Sequence, residues 1–274
     1  MPVGNCRILR NKVMIFDTHT HYDDEQFDTD REELLCSMHA QNVGTILNVG
    51  ATPEGCLASV KLAAEYDFIY AALGVHPDDV GKLNEEFLDW MRGEARKNPK
   101  VVAIGEIGLD YHWDVEPRTV QQEWFVRQID LARELDLPFA VHSRDAAKDT
   151  FDLICEHAKG MRGVLHCFSY SPEMALDYVK WGFHIGLGGV VTFKNAKKAK
   201  EVAAAVPLEK ILLETDCPYM APTPYRGKRN QSGYLDLVAE QIAEIKGISK
   251  EQVIAQTEEN AKELFLSRQQ RPVI

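Results

Sequence analysis

The sequence predicts one parallel α/β domain closed into a (β/α)8, or TIM, barrel. Eight short β-branched runs recur along the chain, each is followed by an amphipathic segment, and nothing linker-like interrupts them. The chain has 274 residues, and single barrels of this kind often run to about 250. An open doubly wound sheet is the competing parallel architecture. Eight units at a mean repeat of roughly 28 residues, with no Pro- or Ser-rich linker, low complexity or short internal repeat, favour closure.

Taken in order, residues 13–17 (VMIFD) form the first strand, and 31–41 the helical segment after it. Residues 45–49, 69–74 and 101–105 follow as strands, with amphipathic stretches at 53–66, 85–96 and 119–135. In the last of these Phe125, Ile129 and Ala132 recur at helical spacing among charged positions. Strands at 138–141, 163–165, 184–187 and 211–215 alternate with helical segments at 145–157, 172–181, 194–206 and 234–245. A further helix at 249–257 precedes a last one ending at Phe265. Met14 stands directly before the first strand, so residues 1–13 read as a tail outside the fold, 14–266 as the barrel and 267–274 as a C-terminal tail.

Hydrophobic residues make up 45% of the chain and charged ones 27%, the balance of a globular protein with a substantial core. No run approaches the roughly 18 apolar residues that span a bilayer, and the opening residues carry Arg7, Arg10 and Lys12 without an apolar stretch typical of a secretion signal. Cys6, Cys36, Cys56, Cys155, Cys167 and Cys217 are scattered with no C-x-x-C, which speaks against a disulfide framework or structural zinc and for the reducing cytoplasm. The net charge of −11 excludes a general polyanion binder, which needs clustered Lys and Arg. A nuclease stays open, because bound cations and a few local basic residues can attract a phosphodiester to an acidic protein.

The ionisable residues fall in a pattern. His19 and His21 follow the first strand, His76 the third, Glu106 the fourth, His142 the fifth, His166 the sixth and Asp216 the eighth. Strand C-terminal ends are where an α/β barrel carries its active site. In extended chain, residues i and i+2 share a side, so His19-Thr20-His21 presents a chelating pair of imidazoles. Glu106 closes an apolar strand, and a carboxylate there is costly to bury without a cation or an Arg partner. As a bidentate group it can bridge two cations about 4 Å apart. Asp216 ends a run of buried aliphatics, its bland alternative being a cap for the next turn. Asp17 and Glu214 lie one layer deeper, as groups that orient the ligands or as buried partners. His39 and His157 read as packing or surface residues, and His184, at the start of its strand, as a stability residue. His112, between Tyr111 and Trp113, fits either substrate contact or an aromatic cluster.

The strings DTHTHYD, GVHP, GEIGLDYH, VHSRDA, LHCFS and LLETDCPY, with PYRGKRN after the last strand, resemble the TatD family of metal-dependent deoxyribonucleases, among the amidohydrolase-like barrels. The resemblance runs in order from Met14 to about Phe265. It implies a (β/α)8 barrel of the metal-dependent hydrolase type and exonuclease-like hydrolysis of DNA. It also divides the ligands: His19, His21, Glu106 and Asp216 to one divalent ion, and Glu106, His142 and His166 to a second. His76 matches the family's histidine near the scissile phosphate. One departure is that relatives commonly continue the PYRGKRN loop with Glu-Pro, where this chain has Gln231, Ser232 and Gly233.

The chemistry expected is a two-cation hydrolysis in which Asp216 is the general base, with Glu106 and His76 completing the catalytic set. Arg144, Arg226, Lys228 and Arg229 are the candidate phosphate contacts, Arg being suited by its planar fork. Tyr111, Trp113 and Phe168 are candidate stacking partners for a terminal base, or rim packing. The His-rich ligand set suits Zn, Mn or Ni better than Mg, which prefers oxygen donors. DNA is the expected partner, with no membrane and no obligate protein partner evident. Two other functions fit the same ligands: cleavage of a small amide, lactone or ester, and metal-dependent binding without catalysis. The Glu106 position, rather than the carbamylated Lys of many amidohydrolases, argues against the first of these. The complete ligand set argues against the second.

Overall fold

The strands close into a nearly complete barrel. The computed structural model describes residues 13–113 and 115–267, so most of the two expected tails, 1–12 and 268–274, lie outside the described residues. The strands are β1 Ile15–Thr20, β2 Val43–Val49, β3 Ile69–Leu73, β4 Val101–Asp110, β5 Phe139–Arg144, β6 Gly163–Leu165, β7 His184–Leu187 and β8 Ile211–Leu213. Each pairs in parallel with its sequence neighbour in the order β1 to β8. The seam between β8 and β1 is joined by a bridge from Thr20 to Cys217. His21 N donates to Cys217 O at 2.8 Å and Asp216 N to His19 O at 2.9 Å. Asp17 reinforces the seam, accepting from Thr215 N at 3.0 Å and from its hydroxyl at 2.7 Å. Burial pushes the Asp17 carboxyl up to about 7, against those hydrogen bonds.

The helices are α1 Arg31–Ser37, α2 Pro53–Glu65, α3 Glu85–Lys97, α4 Arg118–Glu134, α5 Ala147–His157, α6 Pro172–Lys180, α7 Lys197–Ala205, α8 Leu235–Lys246 and α9 Lys250–Ala261. Their starts follow local chemistry. Thr52, Asn84, Ser171 and Ser249 each accept a hydrogen bond from a first-turn amide, and Ser249 with Gln252 completes a capping box. One apolar cluster fills the space between strands and helices. A second takes residues from seven of the eight strands, Phe16, Leu47, Ala72, Val102, Ala140, Val164 and Leu212 among them, which only the barrel interior permits. Ala261, Leu264 and Phe265 join that cluster, so the end of α9 closes the bottom of the barrel. Among the described residues no helix is long and apolar enough to cross a membrane.

Several element boundaries differ from the sequence reading by a few residues, and two of the differences change the picture. The expected separate last helix is instead a wide final turn, Lys262–Leu266, continuous with α9. More important for the site, β4 runs on to Asp110, so Glu106 projects from mid-strand. The extension forms because β5 also lengthens, pairing His142, Ser143 and Arg144 with Gly108, Leu109 and Asp110. Gly108 permits this at φ +150°, since a Cβ there would collide with the His142 carbonyl oxygen.

Candidate metal centre

Five strands bring their acids and imidazoles together at the C-terminal mouth, around Glu106. Its Oε2 lies 3.3 Å from His19 Nε2 and 3.6 Å from His21 Nε2. Asp216 Oδ1 completes that side, 3.4 Å from His21 Nε2 and 4.0 Å from His19 Nε2. The other oxygen, Oε1, lies 2.9 Å from both His142 Nδ1 and His166 Nε2. One carboxylate therefore offers one oxygen to each of two donor sets, His19–His21–Asp216 and His142–His166. His76 stands above the second set, with Nε2 3.9 Å from Glu106 Oε1 and its ring edge-on to His142.

The electrostatics ask for positive charge at both points. Burial disfavours the Glu106 carboxylate, yet His166, His19 and the hydrogen bond from His142 overcome that and hold its pKa well below the usual range. His166 shows the converse: burial opposes its charge, but Glu106 and Glu214 raise its pKa well above normal. His21 rises to about 9, with burial outweighed by Asp216 and Glu106. His19 is held neutral by burial and by the neighbouring His166. Its Nε2 faces His21 Nε2 across 3.2 Å, where two ring nitrogens must share a proton or a cation. The donor chemistry and spacing fit divalent metal ions: the candidate ligand atoms of Glu106, His142 and His166, like those of His19, His21 and Asp216, lie within 4.8 Å of one another.

Behind His21 and His142 stands an acceptor, as a metal-ligating histidine needs for its second nitrogen. His21 Nδ1 is 2.9 Å from Val49 O. The rear nitrogens of His19 and His166 are buried without a hydrogen-bond partner, and both imidazoles lie close to Glu214. Glu214 Oε1 accepts the Cys167 amide and sits 3.6 Å from His166 Nδ1. Behind His142, the acceptor is Asp110, with Oδ2 3.0 Å from His142 Nε2 and Oδ1 held by the amides of His112 and Trp113. A proton on His142 Nε2 leaves the Nδ1 lone pair directed at the centre. Sequence reasoning passed over Asp110 because it ended the strand at Gly105. Had the strand been carried on, the even spacing of 106, 108 and 110 would have placed Asp110 on the Glu106 face.

The candidate substrate groups divide. Arg144 is exposed at the end of β5, its guanidinium over the Trp113 ring at 5.3 Å, and it makes no ion pair among the described residues. Arg226 and Lys228 are exposed on the loop after β8, Arg226 over Phe193 at 4.4 Å. Arg229 is engaged elsewhere: it grips Asp30 with both guanidinium nitrogens at 2.8 and 2.6 Å and donates to Gln26 O, tying this loop to the one after β1. The expected phosphate contact gives way there to an internal fastening. Asn230 Nδ2 donates to Thr215 O at 2.9 Å, and buried Ser232 pairs with the Tyr22 hydroxyl, so the Gln231-Ser232-Gly233 sequence carries its own anchor.

The expected aromatic set divides too. Tyr111 is held by Asp149, Gln122 and the Arg118 guanidinium, Trp113 is 61% exposed, and Phe168 is buried. His112 pairs with Asp145, His39 packs on Phe68, and His184 sits at the barrel bottom.

A family model described as TatD related DNase matches residues 16–266. An uncharacterized metal-dependent hydrolase of Bacillus subtilis, YabD, is 47% identical over 253 residues, covering 92% of this chain and 99% of its own. The uncharacterized metal-dependent hydrolase YcfH of Escherichia coli is 38% identical over 261 residues, with 92% and 96% covered. Among solved structures, the TatD homologue YjjV of Escherichia coli superposes with a TM-score of 0.86 at 32% identity, covering 92% of this chain and 98% of that one.

Proposed function

The chain belongs to the TatD family of metal-dependent hydrolases, and from that premise we propose that it hydrolyses phosphodiester bonds of DNA from a chain end, using two divalent cations. The observation that supports this most is the division of Glu106 between two donor sets. A pair of cations bridged there would offset the charge that builds on a phosphodiester under attack and make water a better nucleophile. His19, His21, Glu106 and Asp216 would hold one ion, and Glu106, His142 and His166 the other. The nitrogen-rich set favours Zn, Mn or Ni over Mg.

The chain's own groups supply the rest. Asp216 is the most exposed acid of the ligand set, its side chain 18% accessible against 5% for Glu106, so it is the one that takes the proton of the attacking water. Burial opposes its charge, but the hydrogen bond with His21 and the charges of His166 and His19 keep its pKa lowered, so it is ionised near neutrality. His76 Nδ1 accepts the Asp78 amide at 3.2 Å, which places the ring proton on Nε2, facing the centre. Burial and His142 press its pKa down to about 4, so His76 acts as a neutral donor to a non-bridging phosphate oxygen. Arg144 supplies a bidentate fork to the same phosphate, with Trp113 beside it as a stacking surface. Arg226 and Lys228 lie where the phosphates next along would pass.

The test is digestion of end-labelled single- and double-stranded DNA, with RNA and a p-nitrophenyl carboxylate ester in parallel, after loading with Zn, Mn, Ni or Mg. Loss of terminal nucleotides from DNA, abolished by chelator, is expected. Turnover of the ester with intact DNA would move the assignment to small-molecule hydrolysis.

A further inference from the structure

We propose that the cavity beside Asp216 is a binding site for the base of the chain-terminal nucleotide, an inference that rests on the DNA reading above. The cavity has a volume of about 400 Å³ and lies between the loop after β6, the end of β7, the first turn of α7 and the end of β8. It falls in the range of roughly 300–1,000 Å³ typical of ligand pockets and gives room for one nucleoside. Its inner edge is shared with the metal centre, since Asp216 and Glu214 both line it.

The lining selects the occupant. Phe168, Leu187, Val191 and Met220 make the walls apolar, and between them the backbone of Gly188 and Gly189 leaves a side-chain-free strip. Between the inner carboxylates, which belong to the metal centre, and the outer rim the lining carries no charged side chain, so the space takes a neutral group. The outer rim is cationic: Lys197 and Lys198 are exposed on the first turn of α7. Among the described residues Lys197 pairs only with Glu201, at 3.6 Å, and Lys198 makes no ion pair. A neutral space flanked by the metal centre on one side and a cationic rim on the other fits a base with phosphate charge beside it. The strand ends and the first turn of α7 border the cavity. A base can enter only by leaving its stack, which costs least at a single-stranded end. With that base seated, the first phosphodiester lies at the Asp216 edge. The cavity thus gives cleavage from an end a structural cause.

The experiment compares two single-stranded oligonucleotides of equal phosphate number under subsaturating conditions. One ends in ordinary nucleotides, and the other carries abasic tetrahydrofuran residues at both termini. Removal of the base-bearing end should be faster by roughly ten- to hundredfold, the scale of an apolar or stacking contact to one base. Ala196→Phe, placed at the half-buried lip, should bring that ratio towards one. In titration calorimetry, a deoxynucleoside monophosphate should bind at least tenfold more tightly than deoxyribose 5-phosphate. Equal cleavage of the two oligonucleotides, with equal binding of the two phosphates, overturns the base site and leaves the nuclease reading standing. No cleavage of either oligonucleotide overturns both.

Discussion

His166, just after β6, and His184, at the start of the neighbouring β7, are both 6% exposed, but their ionisation moves in opposite directions. At the mouth, burial opposes a charge on His166, yet Glu106 and Glu214 raise its pKa well above the ordinary value. At the bottom, burial and the charge of Lys210 press His184 down to about 4, and its Nδ1 has no partner. Burial by itself makes an imidazole neutral and inert. Carboxylates buried with it turn the same side chain into part of a cation site.

The strongest way to break this contrast is to remove the shared carboxylate. Glu106→Gln should reduce hydrolysis to background and abolish tight metal binding, while circular dichroism shows an intact barrel, because Glu106 serves the mouth and the apolar interior lies below it. Wild-type turnover in this variant would show that the centre is misassigned. Removing one side only, His142→Ala should also abolish turnover but leave the His19–His21–Asp216 set able to hold an ion, read by elemental analysis.

A smaller change tests the support behind a ligand. Asp110→Asn should weaken metal affinity by about ten- to a hundredfold, the usual effect of losing an acceptor behind a ligating imidazole. Unchanged affinity by competitive chelator titration would leave Asp110 with a packing role only.

The barrel bottom should respond to pH. His184 is neutral when folded but titrates near 6.5 when unfolded, so acid favours the unfolded chain. Its contribution is complete above pH 6.5, falls as the pH drops from 6.5 towards 4, and amounts to on the order of 3 kcal/mol. His184→Gln should flatten that part of the stability curve in denaturant titrations. The same slope in both proteins would assign the acid sensitivity elsewhere. The smallest expected effect lies at the rim, where Arg226→Ala should raise KM on DNA a few-fold and leave a small phosphodiester unaffected.

The barrel and its mouth were legible because parallel strands buried on both faces read as plain aliphatic runs, and an imidazole or acid just after such a run stands out. Legibility failed where the backbone carried the information. β4 was cut short at Gly105 because glycine reads as an end, whereas Gly108 is there to let β5 approach, and Asp110 was lost with it. Arg229 looked like a phosphate ligand because its partner, Asp30, is 199 residues away in the chain. Of the cavity beside Asp216 the sequence offered Phe168 and Asp216 but not their union, since its walls come from four separate segments.

The most direct test is the number of ions on the two sides of Glu106, measured by elemental analysis and anomalous scattering on protein loaded with a single metal. Two divalent ions per chain, one beside His21 and Asp216 and one beside His142 and His166, with both lost in Glu106→Gln, is the expected result. A single ion in the wild-type protein, or two that persist without the carboxylate, would contradict a bridged pair.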